Sequence, residues 1–212
     1  MRQLFKSNLI PLQLTKEQLL NEIDKKKCRY SSNSKMLRYL DIWKAAFSNA
    51  YDASTVKLLI PDNQYFYESL YIGGGELRLH FNITKALSMV EQCEVQTLPI
   101  NLFAQTNVDN ENAIIKYSEI ADLTNISYAE SEKPIIVVEY YFGKLPFLVI
   151  DGNHRVTMKK QRGVPRISVC ALPWRNAYQL PSSKLEQAAY LFTYEGQYLE
   201  QYIDCSHATD FL

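Results

Sequence analysis

Residues 150–155, Ile150-Asp151-Gly152-Asn153-His154-Arg155, place a glycine, a histidine and an arginine between a strand-like run and a helix-like run. An apolar run, residues 145–150, precedes the glycine, and a helical pattern follows it as far as Gly163. A glycine at the end of a strand lets the backbone turn sharply and approach a ligand closely. The N–H groups that open the next helix favour an anion, and His154 and Arg155 add donors there. The sequence therefore predicts a phosphate or nucleotide site at this turn.

The charge that follows the turn is locally basic. From Gly152 to Leu185 there are seven basic residues and no acidic one, whereas residues 45–151 hold six basic and fourteen acidic residues. The whole chain is balanced, with 23 basic and 23 acidic side chains. The local excess favours an anionic ligand. The alternative for the lysines and for Arg162 is an ordinary solvated helix face.

The composition limits the class of protein. A chain of 212 residues with 47% hydrophobic side chains can bury one large core or two small ones, which excludes a disordered protein. The balanced charge argues against a protein that coats DNA non-specifically, because such a protein needs a net basic surface. There is no apolar stretch long enough for a signal peptide or a membrane span, so we expect a cytoplasmic protein without a membrane partner.

The cysteines point to thiols in a reducing compartment. The four residues are scattered and none forms a C-x-x-C pair, so we expect neither a disulfide nor a structural zinc site. Cys205 and His207 are the only Cys/His pair close in sequence, and a second pair, which a zinc site needs, is missing.

Helices are predicted in both terminal regions. Thr15 and Gln18 have the form of a capping box that opens a first helix, and a second helix is predicted over residues 35–51. A short helix is expected from Asn82 to Gln92 and another over residues 113–123. The last forty residues are predicted to be helical from Pro181 to near Ile203.

Strands are predicted in the middle of the chain. Residues 65–72 and 77–81 alternate about a glycine turn, which is typical of a hairpin. Further strands are expected over residues 95–103, 135–138, 145–150 and 167–172. A turn at residues 142–144 is expected to join the strands over 135–138 and 145–150. The Gly73-Gly74-Gly75 run is not a phosphate loop, because no Lys-Ser/Thr pair follows it.

Residues 113–172 resemble the ParB/sulfiredoxin-like superfamily. The resemblance lies in the order of a Pro-Ile-x-Val strand from Pro134, a hairpin, the turn from Asp151 to Arg155, a helix, and a final strand after Gly163. It implies a small mixed-sheet fold that holds nucleotide phosphates at the turn. Carried over by position, Gly152, Asn153, His154 and Arg155 bind phosphate, and Asp151 stabilises the turn or reaches a metal-bound water. The implied cofactor is ATP or another nucleotide with Mg²⁺.

The chain departs from the family in two places. Sulfiredoxin-type members have a cysteine where Asn153 stands, so their repair of cysteine sulfinic acid is not carried over. Centromere-binding members usually have Gly-Glu-Arg-Arg at the turn and a helix-turn-helix domain after it. Only forty residues follow Leu172 here, which is too few for that domain and a dimerisation tail.

Together these patterns predict an α+β protein with a ParB/sulfiredoxin-like core over residues 95–175. A mostly helical region, residues 1–94, is expected to pack on the core, and residues 176–212 to form a helical extension. The expected function is nucleotide binding, with phosphotransfer or hydrolysis as the reaction. Asp151, His154 and Glu139 are the catalytic candidates, and Glu119 is a further candidate for the general base.

Two alternatives to this enzyme remain. One is a non-catalytic module in which nucleotide binding controls an interaction. The other is a DNA-acting ParB-like nuclease that uses the basic stretch, which the balanced charge does not favour. The sequence leaves the oligomeric state open.

Overall fold

The structure is a computed structural model, and it describes residues 9–11, 14–53, 56–60, 62–72, 74–106, 110–120, 132–140 and 145–197. The chain divides into two compact units. The first comprises Met1–Asn82 and Pro181–Leu212, and the second comprises Ile83–Leu180. Helices and strands occur in both units, so the predicted α+β class is confirmed.

The described residues contain six α-helices and ten strands. The helices are α1 (Lys16–Arg29), α2 (Ser34–Asp52), α3 (Ile83–Val90), α4 (Asn153–Gln161), α5 (Trp174–Ala177) and α6 (Lys184–Gln197). The strands are β1 (Leu9–Pro11), β2 (Val56–Leu58), β3 (Tyr65–Ile72), β4 (Gly75–Asn82), β5 (Gln96–Pro99), β6 (Phe103–Ala104), β7 (Ile115–Lys116), β8 (Ile135–Glu139), β9 (Phe147–Asp151) and β10 (Arg166–Leu172).

Three helices build the core of the first unit, and α2 packs against both α1 and α6. The predicted capping box opens α1, because the Thr15 hydroxyl accepts from the Gln18 N–H at 3.1 Å and the Gln18 side chain accepts from the Thr15 N–H at 2.8 Å. The buried carboxylate of Glu195 on α6 accepts hydrogen bonds from the Tyr39 hydroxyl and the Trp43 indole, each at 2.8 Å. These bonds fix α6 to α2.

The predicted hairpin is present in the first unit. β3 and β4 pair in antiparallel register, with Tyr65 opposite Asn82 and Ile72 opposite Gly75. One face of β4 is fully buried and carries Leu77, Leu79 and Phe81. The alternation of apolar residues in β4 therefore correctly predicted which side chains lie on the buried face.

A six-stranded mixed sheet forms the second unit, in the order β5-β10-β8-β9-β7-β6. β8 lies parallel to β10 and antiparallel to β9, and β7 lies parallel to both β9 and β6. The central strands are buried and β-branched, as expected for strands covered on both faces. Their core includes Ile135, Val137, Val149, Ile167 and Val169, with Val156 of α4 packed among them.

The predicted helix over residues 113–123 is wrong as far as the structure describes it, which is to Ile120. Ala113, Ile115 and Tyr117 are buried and the residues between them are more exposed, which is a period of two. The segment accordingly contains β7 and continues as extended backbone. Packing against β6 and β9 therefore overrides the helical propensity of the segment.

Other boundaries differ in smaller ways. The strand predicted over residues 95–103 is interrupted, because Pro99 ends β5 and a 3₁₀ turn, Ile100–Leu102, separates it from β6. β9 begins only after Pro146, which lacks the N–H group that a ladder requires. The predicted turn at residues 142–144 and the end of the last helix near Ile203 lie outside the described residues.

Cys28, Cys93 and Cys170 are free thiols, and Cys205 and His207 lie outside the described residues. In the part of the chain that is described, no three His, Cys, Asp or Glu side chains are grouped so that they could hold a metal ion. None of the helices described has the length and apolar character needed to cross a bilayer.

Candidate functional site

Gly152 joins β9 to α4 and occupies a backbone conformation that side chains resist. Its φ is +96°, in the left-handed region. A Cβ at this position would overlap Cγ2 of Ile135 and would lie 2.8 Å from its Cβ and 2.9 Å from Nε of Arg155. The neighbouring strand β8 therefore approaches the turn so closely that only glycine fits.

The first turn of α4 presents backbone donors. The first helical hydrogen bond runs from the Val156 N–H to the Gly152 carbonyl at 3.0 Å. Gly152 has no side chain to cap the helix. The N–H groups of Asn153, His154 and Arg155 find no acceptor among the described residues. They are the groups at which an anion binds a helix N-terminus.

His154 is the one predicted site residue whose side chain faces solvent without a partner in the described part of the chain. Its imidazole is exposed and makes no hydrogen bond or ion pair there. An exposed imidazole in the first turn of a helix is able to donate to a bound anion.

The resemblance placed Asn153 among the phosphate-binding residues, but its side chain contacts backbone groups of the protein. It is only 8% exposed. Its Oδ1 accepts from the Ser118 N–H at 2.8 Å, and its Nδ2 donates to the Val149 carbonyl at 3.2 Å. Both ends of the amide thus hold backbone, so the side chain positions the turn and only the N–H of Asn153 is left for a ligand.

Arg155 is held by the protein itself. Its guanidinium donates to Oδ2 of Asp151 at 2.5 Å and to the Lys133 carbonyl at 3.3 Å, and its side chain is 12% exposed. The Asp151 carboxylate therefore takes the position of the anion beside Arg155. An external phosphate has to compete with Asp151 for these donors.

The basic stretch after the turn is largely engaged in contacts within the second unit. Lys159 lies 3.2 Å from a carboxylate oxygen of Glu132, and Arg166 donates to the Thr97 carbonyl at 2.7 Å. Lys160 donates to the Phe103 carbonyl at 2.5 Å and lies over the Tyr117 ring. These contacts argue against the alternative in which a DNA-acting nuclease uses the basic stretch.

Residues 118–120 contact α4, and within them the sequence had suggested only Glu119 as a site residue. They run beside α4, because the Ser118 N–H donates to Asn153 and the Ile120 N–H donates to the Thr157 hydroxyl at 3.2 Å. Glu119 lies between these two tethers, and its exposed carboxylate accepts from the Gln105 amide. The clue in the sequence was the alternation that ends at Tyr117.

Glu139 is not brought to the turn. It lies opposite Phe147, whereas Asp151 lies opposite Ile136 at the other end of the β8–β9 pair. Three residues along a strand span about 10 Å. Asp151 and His154 flank Gly152, so the structure groups two of the three catalytic candidates and separates Glu139 from them.

The comparisons with known proteins found nothing similar. No protein-family model matches the chain, and neither the curated proteins nor the solved structures contain a significant match.

Proposed function

We propose that the second unit is a ParB/sulfiredoxin-like domain that binds the phosphates of a nucleotide at the N-terminus of α4. The support is the β9–Gly152–α4 junction. It combines a left-handed glycine, three backbone N–H groups without an acceptor in the described chain, and the exposed imidazole of His154. Backbone donors and the helix dipole at such a junction favour an anion.

The ion pair between Asp151 and Arg155 gives the proposal its mechanism. In the structure Arg155 is neutralised by Asp151. A phosphate that enters the turn takes over donors of Arg155, and Asp151 then lies beside the bound phosphate. Mg²⁺ that accompanies a nucleotide prefers carboxylate and phosphate oxygens, and it would supply the positive charge that Asp151 then needs. Asp151 is the residue that would hold it.

Of the proposed reactions, phosphotransfer or hydrolysis needs a general base near the turn. The residues on either side of Glu119 donate hydrogen bonds to Asn153 and Thr157 of α4, whereas Glu139 lies at the end of β8 that is away from the turn. This arrangement favours Glu119. A non-catalytic nucleotide-responsive module needs only the binding site. A DNA-acting nuclease draws the least support, because Lys159, Lys160 and Arg166 are engaged within the protein.

The test is a thermal-shift titration with ATP, ADP, CTP and GTP, each with Mg²⁺, and with inorganic phosphate. A ligand of the native state raises the melting temperature as its concentration passes the dissociation constant. His154→Gln should retain part of the shift if His154 donates as a neutral group, and His154→Ala should lose more. Because His154 is exposed, neither change should lower the stability of the free protein.

Arg162→Ala is the matched control, since Arg162 lies at the opposite end of α4. It should leave the ligand shift unchanged. The proposal fails if no nucleotide or phosphate shifts the melting temperature, or if His154→Ala and Arg162→Ala reduce the shift equally. Hydrolysis or transfer by the binding-competent protein separates the enzyme from the non-catalytic module.

A further inference from the structure

The outer face of the β3–β4 hairpin carries two strongly exposed aromatic side chains. Tyr67 is 62% exposed and Tyr71 is 76% exposed. They lie four residues apart on one strand, so their side chains are on the same face, on either side of Ser69. Large exposed aromatic side chains in one row are typical of an interaction surface.

The β3 strand also has an edge that no strand of the described chain covers, because β3 pairs only with β4 there. Two hydrogen bonds show how its backbone is oriented. The Ser69 N–H donates to its neighbour Glu68 at 3.1 Å rather than to β4, and the His80 N–H on β4 donates to Glu186 at 2.7 Å rather than to β3. In an antiparallel pair, successive residues direct their N–H and C=O groups alternately toward the partner strand and away from it. Tyr67, Ser69 and Tyr71 therefore direct these groups to the open edge.

We propose that two copies of the chain associate through the open edges of β3, antiparallel, with Ser69 on the twofold axis. The outward N–H and C=O groups of Ser69 then pair with their equivalents, and Ser69 gives up the contact of its N–H with Glu68. In this register Tyr67 of one copy lies opposite Tyr71 of the partner subunit, and the pair occurs twice. Other registers with the same hydrogen-bonding pattern are less favourable. They place a tyrosine opposite Ser69, or they leave one of the two exposed tyrosines without a tyrosine opposite it. Cross-strand aromatic pairs stabilise a sheet.

A second copy fits this surface better than a nucleic acid does. Among the described residues, Arg78 is the cation that contacts these tyrosines, and it lies over the Tyr67 ring and is paired with Glu76 at 2.9 Å. The face therefore offers no net charge to a phosphate backbone. A second copy is equally uncharged there, and it supplies an identical open edge. The proposal concerns the first unit and does not depend on the nucleotide site.

The exposed area predicts a weak dimer. The exposed parts of Tyr67 and Tyr71 amount to on the order of 300 Å² per copy if each ring buries about 200 Å² in full. Two copies bury roughly 600 Å² through these rings, before the strand edges are counted, which is below the lower limit of about 1,000 Å² for a stable specific interface. We therefore expect a reversible dimer that forms as the protein concentration rises.

The experiment is sedimentation velocity from micromolar to near-millimolar concentration. The parent protein should shift from the mass of one chain toward that of two. The doubly substituted proteins Tyr67→Lys/Tyr71→Lys and Tyr67→Glu/Tyr71→Glu should each stay at the mass of one chain, because like charges then face each other. Mixing the two at low salt should restore a dimer. Leu87→Lys, an exposed apolar residue on α3, is the control and should dimerise as the parent does.

Amide exchange of the parent protein gives a second measurement that needs no variant. Exchange at Ser69 and Tyr71 should slow as concentration rises, while exchange at exposed amides of α3 should not. A parent protein with the mass of one chain at near-millimolar concentration overturns the proposal. So does a dimer that the Tyr67→Lys/Tyr71→Lys protein forms equally well, since the dimer would then form through a different surface.

Discussion

Arg155 in the first turn of α4 donates to Asp151 at the end of β9 at 2.5 Å, so the arginine of the predicted phosphate turn already has an anion beside it. The pair is partly buried, and the Lys133 carbonyl holds a second nitrogen of the guanidinium. A charge pair in this environment orders the turn and at the same time opposes the binding of an external anion. The Arg155 side chain therefore has its acceptors within the protein when no ligand is bound.

Replacing Asp151 separates these two effects. Asp151→Asn keeps the shape of the side chain and removes its charge. We expect the free energy of unfolding to fall by about 1–2 kcal/mol, because Arg155 loses a charged acceptor. We expect binding of inorganic phosphate to become several-fold tighter, because Arg155 is released and a repulsive charge is removed. Chemical denaturation and calorimetric titration measure the two effects.

The control for Asp151→Asn is Glu132→Gln, which neutralises the partner of Lys159 farther along α4. It should leave phosphate binding unchanged. Weaker phosphate binding by Asp151→Asn would contradict the mechanism, because it would mean that the carboxylate itself supports the ligand.

Gly152 can be tested by its effect on stability, and Gly163 at the other end of α4 serves as the comparison. Gly152→Ala combines a positive φ with an overlap against Ile135, and we expect a loss of about 3 kcal/mol or more. Gly163 also has a positive φ, +65°, but an added Cβ meets nothing within 4 Å. Gly163→Ala should therefore cost only the backbone strain, about 1–2 kcal/mol. Urea denaturation decides the difference, and equal losses would show that the approach to Ile135 is unimportant.

Local patterns explain why some of this could be predicted from the sequence. The capping box at Thr15 and the junction at Gly152 depend on residues within four positions of each other, and both were predicted. The Asp151–Arg155 spacing is itself the one at which helix side chains pair. The prediction assigned Arg155 to a ligand and overlooked the acceptor already present at that spacing.

Contacts between distant residues could not be predicted in this way. Glu195 pairs with Tyr39 and Trp43 from the opposite end of the chain, and Lys159 meets Glu132 from a different element. The helix predicted over residues 113–123 failed for a related reason. Ala113, Ile115 and Tyr117 fit a strand pattern as well as a helical one, and only the neighbouring strands decide between them.

Asn153 should control the order of residues 118–120. Asn153→Ala removes the acceptor of the Ser118 N–H and leaves the Val149 carbonyl without this donor, so we expect a loss of about 1–3 kcal/mol. Amide exchange at Ser118 should become faster. Thr157→Val is the matched variant, because it removes the acceptor of the Ile120 N–H instead. Exchange at Ser118 that is as fast in Thr157→Val as in Asn153→Ala would contradict a separate role for Asn153.

The buried hydroxyl of Tyr39 should make the free energy of unfolding depend on pH in the alkaline range. Burial and the adjacent Glu195 carboxylate raise the pKa of the Tyr39 hydroxyl well above its usual value of 10.0. The folded protein therefore keeps this proton at a pH where the unfolded chain releases it. The contribution of the Tyr39 proton to the free energy of unfolding is fully present below about pH 10. It is lost as the pH rises further, at about 1.4 kcal/mol per pH unit for one proton.

Tyr39→Phe tests this sign directly. The variant lacks the titrating group, so its free energy of unfolding should fall less steeply above pH 10 than that of the parent, by about one proton in the slope. At neutral pH it should be less stable by about 1–3 kcal/mol, because Glu195 loses a buried donor and retains Trp43. Tyr67→Phe is the control, since it removes a tyrosine hydroxyl from an exposed position. Urea denaturation between pH 7 and 11 measures both slopes, and equal slopes for Tyr39→Phe and the parent would show that the Tyr39 hydroxyl titrates in the folded protein as it does in the unfolded chain.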